Sequence, residues 1–154
     1  MLQIAPVAAD ELDEVRTLFR EYSRLVAEAL CFQGFDRELA TLPGDYVAPG
    51  GVLLLASDDG ESAGCVALRR LDPESGEMKR MYVRDAYRGS GLGRRLAYAV
   101  IAEARSRGYR RLLLDTLPKL TTAIALYRSL GFRELPPYLE APTPGAICFE
   151  LRLS

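Results

Sequence analysis

The stretch Arg88-Gly89-Ser90-Gly91-Leu92-Gly93 decides the fold, because it lies where a strand gives way to a helix. The preceding residues, Glu77–Val83, read as an apolar-leaning strand, and the following residues place apolar side chains at helical spacing until Gly108. Glycines let backbone approach a ligand closely, and the first N–H groups of a helix lack an intrahelical acceptor. The junction therefore predicts an anion site that suits a pyrophosphate.

Basic side chains gather around this junction. From Lys79 to Arg95 there are six lysines and arginines against one acid, Asp85, so the local net charge is 6 − 1 = +5 in a chain whose formal net charge is −1. A local positive patch favours phosphate ligands. The overall charge argues against a general nucleic-acid binder, which needs an excess of positive charge to release counterions.

The spacing of the glycines excludes two common phosphate loops. A P-loop requires Lys-Ser/Thr directly after its last glycine, and none follows here. A Rossmann turn requires Gly-x-Gly-x-x-Gly, and here the third glycine, Gly93, comes one residue early. The phosphate ligand must be held by another kind of loop.

Two ordered motifs carry a resemblance to a known family. Arg88 to Gly93 follows a strand ending in Val83 and reads Arg-x-x-Gly-x-Gly, and the helical stretch from Ala123 to Phe132 bears Tyr127 and ends in Gly-Phe. Together they closely resemble the acetyl-coenzyme A (acetyl-CoA) loop and the second signature of the GNAT superfamily of N-acetyltransferases. The resemblance implies an α/β (α+β) fold in which a mixed, mostly antiparallel central sheet is flanked by helices.

The same resemblance assigns the cosubstrate site. The pyrophosphate of acetyl-CoA is expected on Arg88, Gly89, Ser90, Gly91, Leu92 and Gly93. The pantetheine arm is expected to bond peptide groups of Met81, Tyr82 and Val83, with the thioester ending near Met81. For the arm to enter, Glu77–Val83 should be central in the sheet and splayed from Leu112–Asp115.

The catalytic residues are also implied by the resemblance. Tyr127 aligns with a tyrosine that protonates the departing thiolate, and a phenol with a pKa of about 10 stays protonated at neutral pH. Many relatives carry Asn seven residues before it, whereas this chain has Leu120. Glu77, at the head of the central strand, is the candidate base, directly or through water, although a solvated strand-end Glu would look the same. Asp115 is the reserve base.

The acceptor is the least determined part. Nine acids and four arginines from Asp10 to Asp45 give a local net charge of 4 − 9 = −5, which favours a cationic amine, unless most of these acids only solvate a helix. Arg69 and Arg70 could instead pair with the carboxylate of an amino acid. The expected function is N-acetyl transfer to a primary amine of a small molecule or amino acid, by direct attack in a ternary complex. The alternatives are a non-catalytic acyl-CoA-binding module and a protein N-terminal or lysine acetyltransferase.

The remaining elements follow from hydrophobic patterning. Residues 2–7 read as a first strand, and Asp10 can cap a helix. The apolar stripe of that helix is Leu12, Val15, Phe19, Tyr22, Val26 and Leu30. Turns near Asp59 and Pro73 predict a three-stranded antiparallel meander ending in the central strand, and Leu112–Thr116 should pair with that strand in parallel. The chain ends in an alternating strand from Ile147.

Composition narrows the chemistry and the setting. The 154 residues suffice for one core, so residues 1–154 are expected to form a single domain. Absence of histidine excludes histidine-based triads and zinc sites, and the three cysteines have no ligand spacing, so we expect no metal. No leader or membrane-length apolar run is seen, which predicts a cytoplasmic protein without membrane partners. A homodimer is left open.

Overall fold

The computed structural model describes residues 1–26 and 34–154. In chain order the elements are β1 (Leu2–Pro6), α1 (Leu12–Val26), α2 (Phe35–Thr41), β2 (Val52–Asp58), β3 (Glu61–Asp72), β4 (Ser75–Val83), α3 (Leu92–Ser106), β5 (Arg111–Thr116), α4 (Thr121–Ser129), β6 (Arg133–Leu135) and β7 (Ile147–Arg152). The strands form one sheet in the order β1-β2-β3-β4-β5-β7-β6. Among the described strands, only β4 and β5 pair in parallel. The predicted mixed, mostly antiparallel sheet is confirmed.

The centre of the sheet follows the predicted path. Strands β2, β3 and β4 form the antiparallel meander, and the chain then crosses through α3 to β5 on the far side of β4. A parallel pair requires such a crossover, because a tight turn can only reverse the chain. The glycine junction therefore lies between the central strand and the crossover helix, as the sequence predicted.

An apolar layer covers each face of the sheet. The first lies under α3 and α4, and its largest fully buried members are Leu68, Leu92, Leu96, Leu112, Leu114 and Phe149. The second lies under α1 and α2 and includes Val15, Leu18, Phe19, Leu53 and Leu55. Alternate residues of β2 belong to opposite layers, as the two-residue period of a strand requires. Together, the two layers cover the sheet on both of its faces.

The start of α1 differs from the prediction. Asp10 lies within a short 3-10 turn, Ala9–Glu11, and α1 begins only at Leu12. The Ala8 N–H donates to the Glu11 carboxylate at 2.9 Å, so Glu11 caps this turn by reaching back to its start. The cap expected of Asp10 is therefore wrong. Leu30, Glu28 and Cys31, which the sequence placed in or just after this helix, lie outside the described residues.

The strand β6 was not predicted. It has three residues, two of them charged, and therefore carries no alternating pattern. It pairs with β7 in antiparallel fashion, so β7 lies between β6 and β5. The chain from 136 to 146 connects β6 to β7 beside the open end of the central strands.

Candidate active site

The central strands β4 and β5 separate along their length. They pair from Ser75 opposite Arg111 to Glu77 opposite Leu113, and no further. The other edge of β4 stays paired with β3 as far as Val83, and β5 stays paired with β7 as far as Thr116. The edge of β4 after Glu77 therefore presents peptide groups to whatever enters between the strands. The predicted splay is confirmed.

A cleft opens where the strands separate. Its walls are Met78–Met81 of β4 and Leu114–Thr116 of β5. Tyr22 of α1 lines it on one face of the sheet and Tyr127 of α4 on the other. Because these helices cover opposite faces, the cleft runs through the sheet. Two substrates could thus meet from opposite sides.

A β-bulge lies in the β4 wall of the cleft. Cys65 lies opposite Tyr82 and Ala67 opposite Lys79, so β4 has one residue more than β3 across this interval. Arg80 has a φ of 58°, which L residues rarely adopt. The extra residue interrupts the alternation of side chains. Lys79 and Arg80 therefore both lie on the α1–α2 face, where they are only 8% and 3% exposed.

The glycine junction is built to approach an anion. Gly89 and Gly91 have φ angles of 80° and 84°, and a Cβ at either position would meet no atom within 4 Å. The N–H groups of Arg88, Ser90 and Leu92 have acceptors within the loop. Within residues 1–26 and 34–154, those of Gly89, Gly91 and Gly93 have none. These free donors at the positive end of α3 suit a pyrophosphate.

The positive patch of the sequence is partly neutralised in the fold. Three of its arginines form ion pairs: Arg80 with Glu38 (2.8 Å), Arg84 with Glu21 (2.8 Å) and Arg88 with Asp85 (2.7 Å). The count of +5 therefore overstates the charge available to a ligand. The same pairs occupy two acids of the segment expected to attract a cationic amine. Hydrogen bonds from Arg84 lower the pKa of the Glu21 carboxyl, which keeps the pair charged.

The residues predicted to lie along the pantetheine arm occupy the open part of β4. Met81 lines the cleft, whereas the Tyr82 side chain turns toward α1, donates to Glu21 at 3.0 Å and contacts the Tyr22 ring. Val83 is beside the loop, because its carbonyl accepts from Arg88 Nε at 3.3 Å. The three peptide groups follow one another toward the glycine junction. Their contact with acetyl-CoA stays a prediction.

Tyr127 lies in the wall of the cleft that belongs to α4. It is 4% exposed, and its ring contacts Phe132 and Phe149 with centroid distances of 5.7 and 6.3 Å. No residue in the described parts of the chain hydrogen-bonds its hydroxyl. Burial raises the pKa of Tyr127 above its ordinary value, so the phenol is protonated at neutral pH. This is the state that a proton donor needs.

Glu77 occupies the closed end of the cleft, where the strands are still paired. It is fully buried, and its carboxylate accepts from Arg69 Nε at 2.6 Å and from the Tyr138 hydroxyl at 2.5 Å. It is therefore not the solvated strand-end carboxylate that the sequence allowed. It does not belong to the lining of the cleft, which begins one residue later at Met78. Its role as base stays a prediction.

Asp115 lines the cleft directly, on the side of the sheet that faces α1. Thr143 lines it as well, from the chain between β6 and β7. Leu120 lines it where many relatives have Asn, and it places an apolar side chain there. Sequence reasoning missed Tyr22 as a cleft residue, because a position on the apolar stripe of a helix carries no signal of a site.

The described residues contain neither a metal-binding cluster nor a membrane-spanning helix. Across residues 1–26 and 34–154, no cluster of three or more acids and cysteines could hold a metal ion. Within the same ranges, no helix has both the length and the hydropathy to cross a membrane.

Comparison with known proteins shows which sequences and structures this chain is similar to. The sequence profile of the Acetyltransferase (GNAT) family matches residues 12–132. An uncharacterized N-acetyltransferase of Schizosaccharomyces pombe is 38% identical over 146 residues, which cover 94% of this chain and 90% of that protein.

Solved structures match the fold as well. A GNAT-family acetyltransferase of Staphylococcus aureus superimposes with a TM-score of 0.84 at 21% identity, covering 100% of both chains. An acetyltransferase of Salmonella typhimurium, solved with its cofactor acetyl-CoA, gives a TM-score of 0.72 at 19% identity and covers 99% of this chain and 94% of its own. At these identities the two structures show the fold alone.

Proposed function

Because the chain belongs to the acetyltransferase (GNAT) family and is thus an N-acyltransferase, we propose that it acetylates the primary amine of a small molecule or amino acid from acetyl-CoA. The single observation that carries this proposal is the cleft through the sheet. It joins the α4 side, next to the glycine loop, to the α1 side, where buried polar groups lie. Donor and acceptor can therefore occupy opposite faces and react in one ternary complex.

We assign the binding of the donor to backbone groups. The free N–H groups of Gly89, Gly91 and Gly93 would hold the pyrophosphate, and the open edge of β4 from Met81 to Val83 would bond the pantetheine amides. When bound, acetyl-CoA supplies a thioester whose carbonyl carbon the amine attacks. Peptide N–H donors near Met81 would stabilise the oxyanion, an interaction worth about 3–4 kcal/mol in other enzymes.

We assign the leaving-group proton to Tyr127. As the new C–N bond forms and the C–S bond breaks, the thiolate must gain a proton or a hydrogen bond to leave. Tyr127 lines the cleft with a protonated hydroxyl that no described residue engages. These observations support a donor role.

The ammonium proton of the acceptor needs a base. Two carboxylates are candidates: Asp115, acting directly, and Glu77, acting through water. Asp115 lines the cleft, whereas both oxygens of Glu77 already accept hydrogen bonds. We therefore place Asp115 first and keep Glu77 as the alternative.

The acceptor is proposed to carry a carboxylate beside its amine. Glu21 and Glu38, which a cationic amine would need, are ion-paired with arginines. Arg80 is itself bound to Glu38, but Lys79, which the bulge brings to the same face, lines the cleft and is suited to a carboxylate. This favours amino acids over polyamines.

The test is a panel of amines with acetyl-CoA, read by release of the free thiol and by the mass of the product. We expect amine-dependent release, faster for amino acids than for diamines and polyamines of similar size. Acetyl-CoA binding by calorimetry without turnover of any amine or peptide would instead favour a non-catalytic acyl-CoA-binding module. Turnover of peptides alone would favour protein acetylation.

A further inference from the structure

A segment without regular secondary structure forms part of the cleft wall. Residues 136–146 connect β6 to β7 and include four prolines, which have no N–H to donate. Yet Thr143, a member of this segment, is buried, and both Thr143 and Ala146 line the cleft. Backbone pairing does not fix the segment in the way it fixes a strand. Side-chain contacts must place it.

Tyr138 provides such a contact at the opposite end of the segment. Its hydroxyl donates to Glu77 at 2.5 Å, across 61 positions of sequence. Burial first, and the charge of Glu77 second, raise the pKa of Tyr138, so the phenol remains a donor. The second oxygen of Glu77 accepts from Arg69 at 2.6 Å. We call Arg69, Glu77 and Tyr138 the Glu77 cluster.

The location of the cluster is what gives it a part in binding. Glu77 is the last residue of β4 that pairs with β5, so the hydrogen bond ties residues 136–146 to the closed end of the cleft. A fully buried carboxylate is costly unless it is paired and hydrogen-bonded, and an apolar residue would fill the same space at lower cost. Unlike an apolar side chain in the same place, the hydrogen bond is directional, so it fixes the orientation of the segment that it holds.

We propose that Tyr138 is a positioning residue of the acceptor site. Its hydrogen bond to Glu77 holds residues 136–146 against the cleft and thereby sets the affinity for the acceptor, without touching the acetyl donor. The inference rests on the proposed function only in naming this wall as the acceptor side. It assigns Glu77 the task of holding Tyr138, with Arg69 bonded to its second oxygen.

The test compares Tyr138→Phe with Tyr98→Phe. The control removes the same atom from a tyrosine of α3 that is 55% exposed. In Tyr138→Phe we expect the KM for the acceptor to rise about tenfold, which corresponds to about 1.4 kcal/mol, while kcat and the Kd of acetyl-CoA stay within about threefold. Tyr98→Phe should change none of these.

Hydrogen exchange supplies a second readout that needs no acceptor. Amides of residues 139–146 should exchange faster in Tyr138→Phe than in the wild type, and those of β4 and β5 should not. Unchanged exchange in this segment would overturn the inference, and so would an unchanged KM or an equal rise in the Kd of acetyl-CoA. If no amine is turned over, the proposed transfer fails while exchange still decides whether Tyr138 holds the segment.

Discussion

Replacing Tyr127 by phenylalanine removes a single oxygen atom from the wall of the cleft. The ring keeps its contacts with Phe132 and Phe149, and no described residue loses a hydrogen-bond partner. The change in stability should therefore stay within about 0.5 kcal/mol. For a chain of 154 residues, that corresponds to a shift in Tm of at most about 2 °C.

The effect on turnover should be far larger. General acid catalysis contributes about 10²- to 10⁴-fold, so kcat should fall by that factor, or by about 3–5 kcal/mol of transition-state stabilisation. The Kd of acetyl-CoA should change less than about threefold, since the hydroxyl is assigned to the thiolate and not to the bound thioester. In the wild type, the raised pKa of Tyr127 predicts no loss of kcat from its ionisation below pH 10, because the phenol keeps its proton until its raised pKa is reached.

The assay is single-turnover thiol release at saturating acceptor, so that slow product release cannot hide the chemical step, with Tm measured on the same samples. The exposed Tyr98→Phe is the matched control. Wild-type kcat in Tyr127→Phe would refute the reasoning and leave α4 with a structural role. A large fall in Tm with kcat nearly intact would refute it as well, because it would mean that the hydroxyl serves packing.

Three further predictions test the loop, the base and the ion pairs. Gly91→Val should raise the Kd of acetyl-CoA at least about tenfold. The control Gly60→Val, which is also at a positive φ but lies in the β2–β3 turn, should lower stability without changing this Kd. Equal affinities of the two variants by calorimetry would contradict the placement of the pyrophosphate on the loop. Asp115→Asn should lower kcat more than about tenfold with little change in Tm, whereas Glu77→Gln should mainly lower Tm. Both quantities are measured for each variant, and a large fall in kcat for Glu77→Gln with little change for Asp115→Asn would make Glu77 the base. Because the folded pKa of Glu21 is lowered, its contribution to stability is present above about pH 4.5 and is lost as pH falls through the folded value. The difference in unfolding free energy between wild type and Glu21→Gln, about 1 kcal/mol or less at pH 7 for a partly exposed pair, should therefore disappear in acid when Tm is measured against pH, and a difference independent of pH would contradict the assignment.

The glycine junction and the strands around it could be read from the sequence because each is a local signal. Arg88 to Gly93 carries its geometry in its residue types, and the apolar runs of β2, β3 and β5 specify burial on both faces. The order of β4, α3 and β5 then required a parallel pair. The splay beside Glu77 was implied by the resemblance to the GNAT superfamily, and the structure confirms it.

Charge counts were less informative, since they ignore which residues meet in the fold. Glu21 and Glu38 are far in sequence from Arg84 and Arg80, yet the helices that carry them pack across β4. Two arginines of the positive patch and two acids of the acidic segment neutralise each other in these pairs. A short window of sequence cannot predict a long-range pairing of this kind, and the contact of Glu77 with Tyr138 could not be predicted for the same reason.

The bulge at Arg80 is the most important feature that the sequence did not predict. A regular strand would place Lys79 and Arg80 on opposite faces, and no glycine marks the positive φ that brings them to one face. Bulges bend the strand that contains them and increase its local twist. Here β4 leaves β5 after Glu77, three residues before Arg80, while it stays paired with β3 on its other edge as far as Val83. The residue that breaks the alternation thus lies in the part of β4 that turns away from β5. The bulge thus accompanies the opening of the sheet and places Lys79 and Arg80 on the same face.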